Sequence, residues 1–111
     1  MLGTDKAQRE QKVKVYLEKF NKMQIGDVSD VMFEYEKAIR EFPNESSILI
    51  KYMELLHIEK GSVPVQDYKP LSYKLINTYE KIQKYCTDDA IRIRAKRIMI
   101  QHLMWQYQCL G

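Results

Sequence analysis

Cysteine is scarce in this sequence: Cys86 and Cys109 are the two among 111 residues. A disulfide framework needs more cysteines and a secreted setting, so two reduced thiols in a cytoplasmic protein are expected. Glycine is equally thin. Gly3, Gly26, Gly61 and Gly111 each stand alone, which excludes a glycine-rich phosphate loop. No apolar stretch approaches the length of a membrane span. The first residues, Met1–Lys6, lack the apolar segment of a signal peptide and read as an appended scar or a ragged cut from a longer chain. Charge of one sign is also lacking: 18 Lys and Arg against 15 Asp and Glu leave a formal net +3. That is a weak pull toward nucleic acid or an acidic partner. Period-two alternation is absent, and with it the signal for a sheet.

What is present is helical period, punctuated by three prolines. Val13, Tyr16, Leu17, Phe20 and Met23 recur at helical spacing from about Lys6 to Met23. Gly26 suits the end of that helix, and Asp27 or Ser29 can cap the next. The second helix carries Val28, Val31, Met32, Tyr35, Ala38, Ile39 and Phe42 on one broad face and stops at Pro43. Asn44 or Ser46 is the expected cap of a third, to about Lys60, apolar on most of its surface. Residues 61–70, with Pro64 and Pro70, read as a loop. A fourth helix follows over about Leu71–Tyr85. Thr87 and Asp88 cap a fifth that reaches Cys109. The expected fold is all-α with about five helices, in one domain over residues 1–111.

Two of these segments repeat each other. Val31–Asn44 aligns with Leu75–Asp88, so that Tyr35-Glu36-Lys37-Ala38 falls on Tyr79-Glu80-Lys81-Ile82 and Pro43 on Thr87. Self-similarity of this kind marks stacked helical hairpins, none of which buries its apolar face alone. The pattern resembles the tetratricopeptide repeat. Its first unit is Val13, Tyr16, Leu17 and Phe20, then Val31, Tyr35, Ala38 and Pro43. Its second is Leu49, Tyr52, Met53 and Leu56, then Leu75, Tyr79, Ile82 and Thr87, with Ile91, Ala95 and Ile98 on the lone fifth helix. Leu17 and Met53 stand where the motif has a small residue, Ile82 where it has alanine, and Thr87 where it has proline. The resemblance implies a right-handed stack of hairpins, and Tyr35, Ala38, Leu49, Tyr52, Leu56 and Tyr79 as its core.

Over residues 30–111 the chain is also similar to the C-terminal helical-repeat region of bacterial XRE-type transcription regulators. Tyr35–Asn44, Cys86–Arg92 and Tyr107–Gly111 carry that likeness. It implies a sensory or oligomerising domain whose DNA contact is made by a helix-turn-helix that is not visible in this chain.

No arrangement of residues indicates an enzyme. His102, Cys109 and Cys86 are too few for a metal site and read as a packed imidazole and buried thiols. Asp88-Asp89 fits helix capping and the helix dipole better than an acid/base pair. Arg92, Arg94, Lys96 and Arg97 are divided between two helical faces, unlike the single stripe of a nucleic-acid surface. No metal, cofactor or membrane is therefore expected.

Two surfaces are candidates for binding. Along the first-type helices, a mixed groove with a basic tilt would consist of Lys14, Glu18, Asn21, Lys22, Ser47, Lys51, Glu54, His57, Arg92, Lys96 and Met99. Such a groove suits a short peptide or an acidic terminus. Near the C-terminus, Ile98, Met99, Ile100, Leu103, Met104, Trp105, Tyr107 and Leu110 cannot all face the fourth helix. Leu103, Met104, Trp105, Tyr107 and Leu110 form the candidate oligomer interface, to be covered by a second copy or by further sequence. The expected function is protein or peptide binding, as the sensory part of a regulator. The alternatives are a free-standing adaptor and nucleic-acid binding through the fifth helix.

Overall fold

The computed structural model describes residues 2–22, 28–59 and 68–110. Among them every element is a helix: α1 (Leu2–Lys22), α2 (Val28–Glu41), α3 (Ser46–Glu59), α4 (Tyr68–Tyr85) and α5 (Asp89–Leu110). The chain divides into two compact units, Met1–Pro43 and Asn44–Gly111.

In the first unit α1 and α2 pack as an antiparallel hairpin, because both carry apolar and aromatic residues at three-and-four spacing. Val13 and Phe20 of α1 and Val31, Tyr35 and Ala38 of α2 are buried. Aromatic rings hold the pair in register. Phe20 stacks on Tyr35 with centroids 3.9 Å apart and planes 12° from parallel. Tyr16 meets Phe42 edge-on at 6.3 Å. Ring pairs of this kind add to the burial of their area, on the order of 0.5–1.5 kcal/mol each. The Arg9 guanidinium lies over the Phe42 ring at 5.7 Å.

The second unit is a three-helix bundle in which α3, α4 and α5 each touch the other two. Ile48, Leu49, Met53 and Leu56 of α3, Leu75 and Ile82 of α4, and His102 of α5 are fully buried. Ala95 has no exposed surface either, and its small side chain lets α5 approach its neighbours closely. The bundle's core is not wholly apolar. Ser72 Oγ and His102 Nε2 share a 2.9 Å hydrogen bond between two buried side chains, which satisfies polar groups that would otherwise destabilise the core.

The two aligned segments end their helices alike. α2 ends at Glu41 and α4 at the aligned Tyr85. The Phe42 N–H donates to the Ala38 carbonyl at 2.8 Å, and the aligned Cys86 N–H donates to the Ile82 carbonyl at 2.9 Å. Val31 and Leu75, Ala38 and Ile82, and Phe42 and Cys86 are buried pair by pair. Proline and threonine therefore follow the same helix ending.

Several expectations are corrected. α4 begins at Tyr68 and so includes Pro70, which was assigned to the loop. A proline in the first helical turn loses no bond, since N–H groups there have no intrahelical acceptor. At the start of α3, the residue whose carbonyl accepts from Ile48 and Leu49, at 3.1 and 3.0 Å, is Glu45, not Asn44 or Ser46. Ser47 Oγ donates to the Glu45 carboxylate at 3.2 Å. Tyr79 is half-buried, while its aligned partner Tyr35 is buried. Ser29 lies inside α2, which begins at Val28. Met23, Gly26, Asp27, Lys60 and Pro64 lie outside the described residues.

Candidate interaction surface

α5 is where the candidate surfaces meet, and its first turn is firmly set. Asp88 caps it: the Ala90 N–H donates to Asp88 Oδ1 at 2.9 Å, and the Arg92 N–H to the Asp88 carbonyl at 3.1 Å. The Cys86 thiol donates to the same carbonyl at 3.6 Å. With the helix started there, Ile98, Met99 and His102 join Ala95 on the inward face.

That phase decides where the cations go. Arg94 leaves on the α3 flank, where Nη2 pairs with Glu54 Oε1 at 2.6 Å. Arg92 leaves on the α4 flank, where Nε donates to Gln83 Oε1 at 3.3 Å and Gln83 Nε2 donates back to the Arg92 carbonyl at 3.3 Å. Lys96 and Arg97 are exposed.

The groove expected along the first-type helices is thus altered. Ser47, Lys51, Glu54 and His57 do share one half-buried line of α3. The α5 residue beside that line is Arg94, however, not Arg92 or Lys96. Met99 is buried and leaves the groove altogether. The stripe Ile91, Ala95 and Ile98 carried the signal for this, since a helix with those residues inward must set Arg92 and Arg94 on opposite sides. In the first unit, Lys14, Glu18, Asn21 and Lys22 are exposed on the side of α1 away from Val13 and Phe20.

Charge on that hairpin is arranged across its two helices. Lys19 Nζ donates to Glu34 Oε2 at 2.8 Å, and this bond holds the Glu34 carboxyl below its ordinary range. Lys12 stands 3.7 Å from Glu41. The Tyr16 hydroxyl donates to Glu41 Oε2 at 2.7 Å. That bond to a carboxylate, with burial and the charges of Glu41 and Glu34, pushes the phenol up to about 12.

The C-terminal surface fares differently. Leu103, Met104 and Tyr107 are each more than half exposed, with Tyr107 at 81%. Ile93 and Ile100 are also more than half exposed and extend the same outer face toward the start of α5. Ile93 was not foreseen. Trp105 does not belong to that face: it is half-buried, and its ring lies 5.7 Å from His102. The Leu110 and Cys109 side chains lie outside the described residues.

A shallow depression of about 380 Å³ on the second unit is lined by Asn44, Asn77, Glu80, Lys81, Lys84 and Tyr85. The Lys84 ammonium lies 5.2 Å from the Tyr85 ring. With both signs of charge in its wall, it offers polar contacts and no concentrated field. Among the described residues no three His, Cys, Asp or Glu side chains gather to hold a metal. Ser72 and His102, hydrogen-bonded to each other, are both buried. Among those residues, too, no helix is long and apolar enough to cross a membrane. Comparison with protein-family models, curated proteins and solved structures finds no match for this chain.

Proposed function

We propose that this chain is a protein-binding and self-associating helical module whose contact surface is the outer face of α5. One observation carries the reading. Ile93, Ile100, Leu103, Met104 and Tyr107 line one side of a single helix, each more than half exposed. Isolated apolar residues on a surface are ordinary, but a contiguous set is an interface signature. The internal repeat over Val31–Asn44 and Leu75–Asp88 adds to it, because repeat architectures work by presenting surface to partners. In that setting the repeated segments are of the tetratricopeptide type. The module then serves as the sensory or oligomerising part of a cytoplasmic bacterial transcription regulator, whose DNA contact lies elsewhere in the protein.

Nucleic-acid binding through α5 is the weaker alternative. Arg92 and Arg94 are engaged on opposite flanks by Gln83 and Glu54, so the cations do not make one stripe. A free-standing adaptor would use the same face. An upstream helix-turn-helix in the full gene distinguishes regulator from adaptor.

Light scattering on the eluting protein tests the association. At tens of micromolar the wild-type chain is expected to run above its 13.3 kDa monomer mass. Ile100→Glu should return it to monomer, whereas Tyr73→Glu, at an exposed tyrosine of α4, should not. A wild-type monomer over that range would refute self-association.

A further inference from the structure

The spacing on the outer face of α5 specifies more than an apolar patch. Ile93, Lys96, Ile100, Leu103 and Tyr107 follow one another at intervals of three, four, three and four residues. All five side chains are exposed. A three-four alternation keeps side chains on one narrow line of a helix, and that line is the seam along which a second helix packs. A flat surface such as a bilayer is met by a broader apolar face, of the kind that α5 turns inward. The seam spans 14 residue steps from Ile93 to Tyr107, or about 21 Å at 1.5 Å per residue.

Four of the five seam positions are apolar and one is charged, and the position of the charge selects the occupant. In a parallel, in-register pair of α5 helices, Lys96 would meet its own copy, setting two ammonium groups together in a desolvated seam. In an antiparallel pair each first-type seam position faces a second-type position of the other helix. In the register that sets Ile100 opposite Leu103, Lys96 lies opposite Tyr107. The one cation of the seam meets its one aromatic ring, a pairing that is favourable by the ring quadrupole. The lysine stem covers the apolar surface beside it. Arg97 falls beside Met104 by the same geometry, cation against thioether. Tyr107, the most exposed member of the face, loses the most contact with water.

We propose that a second copy of this chain covers α5 with its own α5 laid antiparallel across a two-fold axis, Lys96 of each copy resting on Tyr107 of the other. This rests on the self-association reading and adds its geometry. The contact is isologous, so it closes at a dimer. One helix pair of this length is a small interface, so the dimer forms at micromolar concentration.

Paired cysteines in the full chain test the register. With Cys109 replaced by serine and Cys86 left buried, Lys96→Cys and Tyr107→Cys are oxidised separately and as a mixture. The antiparallel register predicts a disulfide-linked dimer in the mixture alone, since two copies of position 96 stand about 16 Å apart along the axis. A linked dimer in either variant alone would overturn it in favour of parallel pairing. If no mixed disulfide forms while the wild type sediments as a dimer, the register is refuted and self-association stands. A wild type that sediments as a monomer refutes both. Tyr107→Leu, at an exposed site that does not threaten the fold, should weaken dimerisation roughly tenfold, while Tyr107→Phe should leave it within about threefold. Equal effects of the two substitutions would remove the lysine–ring contact from the account.

Discussion

Leu56 and Leu103 offer the same side chain in opposite settings, and substituting alanine at each tests the architecture of the second unit. Leu56 on α3 has no exposed surface, whereas Leu103 on α5 keeps 51% of its own. Leu56→Ala removes three carbons from the core, about 2.4 kcal/mol of transfer free energy at about 0.8 kcal/mol per carbon. The cavity left behind adds to this, for a total loss of about 3–4 kcal/mol. Leu103→Ala takes its atoms from a position already half in water and leaves no cavity, so it should cost less than about 1 kcal/mol. Trp105, half-buried on α5 and the chain's single tryptophan, provides the readout. Urea unfolding followed by its fluorescence works at concentrations too dilute for dimerisation. With an m value of about 2 kcal/mol/M, Leu56→Ala should lower the midpoint by about 1.5–2 M and Leu103→Ala by less than about 0.5 M. Equal shifts would mean that α3 is not central to the bundle, and a larger shift at Leu103 would invert the assigned phase of α5.

Asp88→Ala removes the acceptor of the Ala90 N–H and should destabilise the second unit by about 1 kcal/mol, read by the same unfolding curve. No loss would mean that α5 is not capped there. Tyr16 should ionise well above an ordinary phenol, because its hydroxyl donates to the Glu41 carboxylate. Its raised value means that the bond to Glu41 contributes below pH 10 and is lost as pH climbs through about 12. In an ultraviolet titration, Tyr16→Phe should delete the step near 12 and leave the others. Glu34 is lowered, so its pairing with Lys19 contributes above the ordinary glutamate value of 4.5 and is lost as pH falls through the folded value. Glu34→Gln should therefore narrow the stability gap to wild type on acidification, and a gap that widens would contradict the pairing.

Helix existence was legible because apolar period and punctuation agreed: Pro43 ends α2, and Asp88 starts α5. The aligned helix ends were legible too: Ala38 and Ile82 each accept the last i→i−4 bond of their helix. Phase was harder. α5 carries apolar residues on nearly every side, and spacing put Met99 in the candidate groove and Leu103 in the candidate oligomer interface. Packing around Ala95 set the answer, drew Trp105 back toward His102 and exposed Ile93. Pro70 was read as a breaker because the residue type suggests an end, whereas its place in the first turn of α4 costs no hydrogen bond. Glu45 was passed over as the residue heading α3 because side-chain preference points to Asn44 and Ser46. It is the Glu45 backbone carbonyl that receives the first bonds. Met99 is buried and Trp105 half-buried for the same reason: both positions turn on the rotation of one helix.

Association of the chain with itself is measured most directly by fluorescence anisotropy. A trace of end-labelled chain is titrated with unlabelled protein from nanomolar to about a hundred micromolar. A saturable rise is expected, with half-saturation in the micromolar range, and none when the titrant is Ile100→Glu. A flat trace with wild-type titrant, or a rise that Ile100→Glu supports equally well, would contradict the assignment of the α5 outer face as the contact surface.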